Sequence, residues 1–301
     1  GGAITFVVDA FSRNKKIKYT CVGHEQAAAM MADSYSRMGP NYSATMVTSG
    51  PGATNLLTGI ACSWFDSIPS IHICGQVNLS ELSNYNKNTK NVRQVGFQET
   101  DIVSMAKPIT KFAYQLKSYK DIRYALEKSY YISQEGRPGP VLIDIPMNLQ
   151  RIDINPKKLR SFKPNIIIKP KNILKKKIAL LQRLLSKSSR PCLIIGGGIR
   201  ISKTTKKLKN LVNKLNIPAL STWSGVDALS HDNKNYIGCL GVYGSRSANF
   251  VVQNSDLVIS LGSRLDTRIT GGDPKSFARK AKVISVDVDP NELNKNRGLK
   301  I

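Results

Sequence analysis

Short apolar segments alternate with longer helix-forming segments along the first half of the chain. The apolar segments that predict strands are 20–22, 43–48, 70–74 and 141–145. The segments between them that are rich in helix-forming residues are 25–37, 53–65 and 121–134. Strands that alternate with helices are typical of a parallel sheet with helices on both faces, so this half predicts an α/β domain.

The same alternation resumes in the second half. The strands predicted there are 192–195, 219–222, 257–261 and 283–287, and the predicted helices are 173–185 and 202–215. Between the halves, residues 150–172 carry several prolines among many lysines, a composition typical of a linker. The pattern therefore predicts two doubly wound parallel-sheet domains joined by this linker. The first comprises residues 1–149, and the second, a Rossmann-like domain, comprises residues 173–301.

The length and composition agree with that organisation. With 301 residues, of which 41% are hydrophobic, the chain can bury a core in each domain, which excludes a disordered tail or a small disulfide-stapled scaffold. No apolar run approaches the ~18 residues of a membrane span. The chain opens with Gly1-Gly2 rather than Met and ends at Ile301 without an obvious stop, so we expect a piece of a longer protein, the second domain being truncated.

The charge is strongly basic and unevenly spread. The net charge is +25, and residues 151–215 hold 19 lysines and arginines against one acid, Asp153. Such a stretch raises a nucleic-acid-binding function as an alternative. Its only aromatic residue is Phe162, however, so stacking platforms for bases are missing and a solvated lysine-rich surface is the favoured interpretation.

The cysteines and histidines give no sign of a metal site or of disulfides. The five cysteines form no C-x-x-C pair and most lie in apolar segments, which predicts reduced core residues in a cytoplasmic protein. The three histidines are scattered along the chain, so no metal ligands are predicted.

Two motifs follow predicted strands. Glu25 opens a helix directly after the first strand, where α/β proteins place functional groups, although an acid there also simply favours the positive helix N-terminus. Gly50-Pro51-Gly52, with Asn55 one helical turn on, forms a rigid turn that allows a ligand close to the backbone and to free N–H groups. No Gly-Lys-Ser/Thr follows, so this turn is not a P-loop.

In their order and spacing, several motifs together resemble thiamine-diphosphate-dependent enzymes of the acetolactate synthase large-subunit type. In the first half these motifs are Gly23–Ala29, Thr48–Asn55, Asp66–Pro69, Gly75–Val77, Gly96–Glu99, Gly136–Val141 and Asp144–Pro146. In the second half they are Arg190-Pro191, Gly196–Gly198, Gly238–Gly244, Asp256-Leu257, Gly262–Arg268, Phe277-Ala278, Ala281-Lys282 and Asp287–Asp289. The resemblance implies a pyrimidine-binding domain followed by a central domain that carries FAD in acetolactate synthases.

The resemblance gives Glu25 a catalytic role. The matching glutamate of the family hydrogen-bonds the pyrimidine N1′ of the cofactor and promotes the imino tautomer, whose nitrogen removes the thiazolium C2 proton. The implied activity is decarboxylation of pyruvate and transfer of the hydroxyethyl unit to a second 2-keto acid, as in 2-acetolactate synthesis for branched-chain amino acids.

Further site residues follow from the resemblance. Those that match positions against the thiamine cofactor are Gly50, Pro51, Gly52 and Asn55. Phe97, Gln98 and Lys111 match positions that line the substrate channel, and Gln98 is a second catalytic candidate. Each also has a purely structural alternative role: a packed ring for Phe97, a loop amide for Gln98 and a solvated lysine for Lys111. Those assigned to FAD are Arg137, Gly196, Gly197, Gly244, Arg264 and Asp287. Arg137 has the alternative of a structural arginine that ties down a Pro-Gly turn.

The chain also departs from the family pattern. The loop 78–95 is longer and richer in asparagine than is typical, which leaves the acceptor substrate open. Trp223 and Tyr243 replace residues usual near the flavin. No Gly-Asp-Gly motif with a downstream asparagine pair occurs, so we expect the Mg²⁺ ligands in a missing C-terminal domain. The family's cofactor lies between subunits, which implies a homodimer or tetramer, and we expect the 301-residue chain alone to be inactive.

Four functions are thus carried forward. The favoured one is an acetolactate synthase-type carboligase with 2-keto acid substrates, thiamine diphosphate, Mg²⁺ and FAD, and with a regulatory small subunit left open. The second is a related carboligase or decarboxylase with another acceptor, such as a keto-sugar. The third, a degenerate non-catalytic relative, is disfavoured by Glu25, and nucleic-acid binding is a remote fourth. No membrane partner is expected.

Overall fold

The computed structural model describes residues 1–39, 42–85, 87–89, 91–165 and 171–295. The chain divides into two compact units, Gly1–Ile166 and Ile167–Ile301. The division falls inside the predicted linker 150–172, and the domain limits 1–149 and 173–301 stay a prediction.

The first unit is built on a four-stranded sheet in which every pair of strands is parallel. Its strands are β1 (Ala44–Val47), β2 (Ile71–Gln76), β3 (Phe112–Gln115) and β4 (Val141–Pro146). Their order is β1-β2-β4-β3. Strand β4 is buried along its whole length, as its sequence Val-Leu-Ile-Asp-Ile-Pro requires of a strand covered on both faces.

Helices cover both faces of this sheet. They are α1 (Thr5–Arg13), α2 (Glu25–Met38), α3 (Pro51–Asn55), α4 (Leu57–Asp66), α5 (Ile102–Ala106), α6 (Ile122–Gln134) and α7 (Met147–Gln150). On one face Ala29, Leu56 and Ile60 of the α2–α4 side pack in a core with Leu142 of β4. On the other face Ala125 of α6 packs with neighbouring residues of β4. The arrangement fixes α2 and α3 beside the end of β1.

The second unit holds a five-stranded parallel sheet of order β7-β6-β5-β8-β9. Its strands are β5 (Pro191–Ile195), β6 (Ala219–Ser221), β7 (Tyr236–Cys239), β8 (Leu257–Leu261) and β9 (Lys282–Val286). Its helices are α8 (Lys171–Lys187), α9 (Gly198–Ile201), α10 (Thr205–Leu215), α11 (Arg246–Asn254), α12 (Thr267–Thr270) and α13 (Pro290–Asn294). The strand order reverses at β5, where open α/β sheets form a ligand crevice.

The prediction of an α/β fold with two parallel sheets is confirmed, whereas some elements differ from expectation. Residues 20–22 are exposed and form no strand, because they have neither a paired neighbour nor a buried face. Helix α1 and strands β3 and β7 were not predicted from the sequence, because they are short or have no clear hydrophobic periodicity. No helix within the described ranges is long and apolar enough to span a membrane.

The cysteines are all free, but they are not all core residues. Cys74 and Cys192 are buried, whereas Cys21 and Cys62 are exposed. The expectation of core cysteines was therefore wrong for these two: Cys21 lies in the segment that forms no strand, and Cys62 lies on the outer face of α4.

Candidate active site

The glycine turn lies at the carboxyl edge of the first sheet, directly after β1. Gly50 caps the N-terminus of α3 with φ 60° and ψ −126°, a backbone conformation that glycine adopts far more readily than other residues. Pro51 takes the first position of α3, where its missing N–H costs no helical hydrogen bond. Gly50 and Gly52 are buried, so the turn is packed into the unit.

Glu25 reaches this turn from the start of α2. His24 caps that helix, its Nδ1 accepting from the Gln26 N–H at 3.1 Å. The Asn55 Nδ2 donates to Glu25 Oε2 at 2.9 Å, across two helices. This hydrogen bond is the main reason why the pKa of Glu25 is lowered below its usual value, so the carboxyl group is held as a carboxylate.

The other oxygen of Glu25 lies beside Gly52. A Cβ placed on Gly52 would lie 3.3 Å from Glu25 Oε1 and 2.8 Å from Thr48 Cγ2. A side chain at position 52 would therefore press on the carboxylate. The absence of that side chain keeps open the space between Oε1 and the turn.

Gln98 packs onto the same turn at Gly50. A Cβ on Gly50 would lie only 2.7 Å from the Gln98 Cβ and 3.0 Å from the Gln98 carbonyl oxygen. Gln98 itself has φ 59°, in the left-handed region. The neighbouring Phe97 points outward and is 83% exposed. An exposed ring of this size beside a polar cleft is a surface that a ligand or another chain can cover.

The edge thus combines a carboxylate, an amide that holds it and a Gly-Pro-Gly turn. A carboxylate oxygen beside such a turn can accept a hydrogen bond from, or share a proton with, a ring nitrogen. The structure brings together Glu25, Gly50, Pro51, Gly52, Asn55 and Gln98.

Lys111 and Arg137 lie at the opposite, amino edge of the sheet. Lys111 directly precedes β3, its N–H donates to the Pro140 carbonyl at 2.8 Å, and its Nζ donates to the Glu135 carbonyl. Burial lowers the pKa of Lys111. Arg137 Nε donates to Ser67 Oγ at 2.8 Å, at the end of α4. Neither side chain meets Glu25, and the substrate and FAD roles of these two residues stay predictions.

Asp144 is a buried acid beneath the edge that sequence reasoning did not single out. Its Oδ2 accepts from Gln76 Nε2 at 3.1 Å and from Gln115 Nε2 at 2.8 Å. Its Oδ1 is buried and has no hydrogen-bond partner among the described residues. Burial raises the pKa of Asp144 to about 7. The signal in the sequence was one acid inside the apolar run of β4.

The histidines do not gather with acids. His72 is buried between Thr45 Oγ1 at 2.8 Å and Ser70 Oγ at 2.9 Å, and burial lowers its pKa to about 3, so it is neutral. Among the residues that the structure describes, no group of three histidines, cysteines or acids could hold a metal ion.

The glycine cluster of the second unit packs against the chain itself. A Cβ on Gly196 would lie 2.1 Å from the Gly262 carbonyl oxygen, and one on Gly197 would lie 3.0 Å from Ser224. A Cβ on Gly244 would meet the Cys239 carbonyl oxygen at 2.5 Å. These glycines let loops at the strand ends approach one another, so the space each leaves is already filled by protein.

An exposed aromatic pair lies at the same edge of the second sheet. The rings of Trp223 and Tyr243 stack with centroids 5.4 Å apart and planes 22° from parallel. They are 54% and 68% exposed, and the Arg268 guanidinium lies 5.8 Å from the Tyr243 ring. Of the other predicted residues, Arg264 pairs with Asp266 at 3.2 Å, and Asp287 accepts from the Asp289 N–H. The pair offers a flat apolar surface next to cations.

Both units match families of known proteins. Residues 1–105 match the family described as thiamine pyrophosphate enzyme, N-terminal TPP binding domain. Residues 178–301 match the family described as thiamine pyrophosphate enzyme, central domain. The two matches together cover most of the chain, in the order in which its two units follow one another.

Several curated proteins are similar over nearly the whole chain. The acetolactate synthase large subunit of Pyropia yezoensis is 39% identical, covering 99% of this chain and 49% of the relative. Those of Cyanidium caldarium and Haemophilus influenzae are 38% and 35% identical, covering 99% and 98% of this chain and 50% of each relative. The chain spans about half the length of the curated relatives it matches.

Proposed function

We propose, from the premise that this chain belongs to the thiamine pyrophosphate enzyme family, that it supplies the pyrimidine-binding and central parts of an acetolactate synthase-type carboligase. The proposed enzyme decarboxylates pyruvate and joins the two-carbon unit to a second 2-keto acid. The single observation that carries the proposal is the Glu25 carboxylate, which Asn55 holds at 2.9 Å beside Gly52 of the glycine turn.

The residues present fit the pyrimidine ring of thiamine diphosphate. Gly52 carries no side chain that would press on Glu25 Oε1, so a ring nitrogen of the cofactor can reach this oxygen. When bound, this cofactor supplies the electron sink that decarboxylation requires.

Glu25 is the group that holds and moves a proton in this proposal. Its pKa is lowered by Asn55 while the site is open to water. A ring placed over the turn excludes water, which raises the pKa of a carboxyl group and brings it closer to that of the ring nitrogen. Glu25 Oε1 can then share a proton with that nitrogen without a full change of charge. Asn55 keeps the other oxygen in place, and Gln98 lies against Gly50 of the same turn.

FAD is the second proposed cofactor, held by the second unit. Trp223 and Tyr243 offer a ring surface, and Arg268 offers a cation for a phosphate. Two pyruvate molecules give one 2-acetolactate and one CO₂ without net oxidation, so the flavin would serve as a structural group. No Mg²⁺ ligand is assigned to the described residues. Assembly as a homodimer or tetramer, a regulatory small subunit and a cytoplasmic location remain proposals for the whole enzyme.

Product analysis tests the reaction. The full-length protein, supplied with pyruvate, thiamine diphosphate, Mg²⁺ and FAD, is expected to form 2-acetolactate and CO₂. Release of CO₂ without acetolactate, followed by a new product when a keto-sugar is added, would favour the related carboligase. No consumption of pyruvate under either condition would overturn the proposal.

Flavin binding tests the second cofactor separately from activity. When FAD is titrated into the full-length protein, its flavin fluorescence should be quenched as the flavin stacks on the ring pair. Trp223→Leu should weaken FAD binding about tenfold, because the stacking contact is lost. Phe250→Leu, at another exposed aromatic residue of the same unit, is the matched control. Equal affinities in all three proteins would remove the pair from the FAD site.

A further inference from the structure

Gln98 lies in a turn that its own sequence does not favour. The turn runs from Gly96 to Glu99 and is closed by the Glu99 N–H, which donates to the Gly96 carbonyl at 3.1 Å. Gln98 takes the third position of this turn with φ 59°, a place where glycine is usual. Such a residue persists in the left-handed region only where its surroundings impose the conformation.

The carboxylate of Glu99 supplies much of that constraint. Its Oε1 accepts from the Ser83 N–H at 2.6 Å, and its Oε2 accepts from the Val95 N–H at 2.9 Å. Half-burial raises the pKa of Glu99, but these N–H groups outweigh that effect and lower it overall, so the group is ionised. One side chain thereby fastens two distant points of the 78–95 loop to the turn that holds Gln98.

Neighbouring bonds complete the frame around the turn. The Gly96 N–H donates to the Glu81 carbonyl at 2.8 Å, and Gln76 Nε2 donates to the Thr100 carbonyl at 2.9 Å. These fix the turn at both ends. Among the described residues of the loop and the turn, Glu99 alone connects the two through a charged group, and charge-assisted bonds are about twice as strong as neutral ones.

We propose that Glu99 is a positioning residue of the active site, acting through Gln98. Its carboxylate fastens the 78–95 loop and keeps Gln98 against Gly50. The consequence for function rests on the proposed carboligase, in which Gln98 matches a position that lines the substrate channel. Glu99 thus connects a loop of unusual composition to the shape of the acceptor site.

A double-mutant cycle in the full-length enzyme tests this connection. Glu99→Gln leaves an amide where two N–H groups need acceptors, and should lower kcat/KM for acetolactate formation about tenfold. In a Gln98→Ala background the same change should cost less than about twofold, because the residue through which Glu99 acts is gone. Equal losses in both backgrounds, or no loss in either, would overturn the proposal.

Amide hydrogen exchange provides a readout that does not depend on the reaction. Glu99→Gln should speed exchange at the Ser83 and Val95 amides, while the β4 amides remain protected. Glu81→Gln is the matched control: it weakens a carboxylate bond to the Asn78 N–H in the same loop, at 3.0 Å, and leaves the backbone bond between Glu81 and Gly96 in place. It should leave both kcat/KM and the Ser83 and Val95 amides unchanged.

The two arms separate the two proposals. If the wild-type enzyme makes no acetolactate, the proposed function fails, and the exchange arm still decides whether Glu99 fastens the loop. If acetolactate forms but Ser83 and Val95 exchange equally in wild type and Glu99→Gln, the positioning role fails while the carboligase stands.

Discussion

The two sheets each end in a buried glycine turn at their carboxyl edge, and the two turns serve different purposes. In the first unit a Cβ on Gly50 or Gly52 would meet mainly side chains, those of Gln98, Thr48 and Glu25. In the second unit a Cβ on Gly196 would meet the backbone of Gly262. The first turn adjoins a carboxylate, whereas the second lets two loops touch.

A glycine cluster after a strand therefore does not by itself indicate a ligand-binding site. Glycine permits close approach, and what approaches is decided by elements far away in sequence. At the first edge the carboxylate of Glu25 comes from a helix that precedes β1. At the second edge the neighbour is a loop more than sixty residues on. Substitutions at each edge test whether the two glycine turns have different roles.

The largest expected effect follows from changing the carboxylate of the first edge. Glu25→Gln keeps the shape and the bond to Asn55 but removes the group that shares a proton, so turnover of the full-length enzyme should fall about 10²–10⁴-fold. Steady-state acetolactate formation is the measurement. Glu135→Gln, an exposed glutamate at the amino edge of the same sheet, is the control and should keep its rate.

An unchanged rate in Glu25→Gln would remove Glu25 from the mechanism. The glycine turns at both edges would then have the same role, which is to let segments of the protein pack closely. A loss of the same size in Glu135→Gln would indicate general damage to the first unit instead.

Alanine substitutions at the two turns should have opposite consequences. Gly196→Ala places a Cβ 2.1 Å from a backbone oxygen, which cannot move away, and should destabilise the second unit by about 3 kcal/mol. Gly52→Ala meets mainly a rotatable Thr48 methyl group and should change stability by less than about 1 kcal/mol, while it lowers activity by crowding Glu25.

Denaturant unfolding and acetolactate assays of both variants check this contrast. Gly272→Ala is the control for the second unit, because nothing lies within 4 Å of a Cβ there. If Gly196→Ala proved as stable as wild type, or Gly52→Ala fully active, the assignment of the two turns would be reversed.

The sheets also differ in what they bury, and pH should reveal it. The described residues of the second unit bury no carboxyl group, whereas the first buries Asp144 with a pKa of about 7. Between about pH 4 and pH 7 the folded protein keeps a proton on Asp144 that the unfolded chain has lost. The stability of the first unit should therefore fall as pH rises, by about 2 kcal/mol from pH 5 to pH 7.

Asp144→Asn should flatten that dependence, because its amide mimics the protonated acid. Unfolding free energies at pH 5 and pH 8 measure the slope, with the exposed Asp232→Asn as control. A slope that is the same in wild type and Asp144→Asn would mean that Asp144 is ionised in the fold.

The sequence predicted the α/β class and most strands because buried parallel strands are continuous apolar runs that need no knowledge of their neighbours. The resemblance to the family, rather than the local pattern, placed Glu25, Gly50, Gly52 and Asn55 at one site. Residues 20–22 failed as a strand because an apolar triplet forms one only beside a partner.

What the sequence could not provide were contacts made across the chain. The bonds of Asp144 with two glutamines, and the bond from the Ser83 N–H to Glu99, depend on segments 16 to 68 residues apart. The packing of Gly196 on Gly262 is of the same kind. Local pattern identifies the elements, whereas tertiary neighbours decide what a side chain does.

The smallest expected effect concerns Lys111, at the amino edge of the first sheet. Its side-chain carbons lie close to Gly139, at 3.2 Å from where a Cβ of that residue would be. Its Nζ donates to the Glu135 carbonyl, so the side chain is held away from Glu25. Lys111→Met keeps the stem and should change KM for pyruvate less than about twofold, with a loss of stability near 1 kcal/mol. The exposed Lys117→Met is the control. A tenfold rise in KM with kcat unchanged would instead show that Lys111 binds a keto-acid carboxylate, as its resemblance to channel residues implies, and would extend the active site to the amino edge.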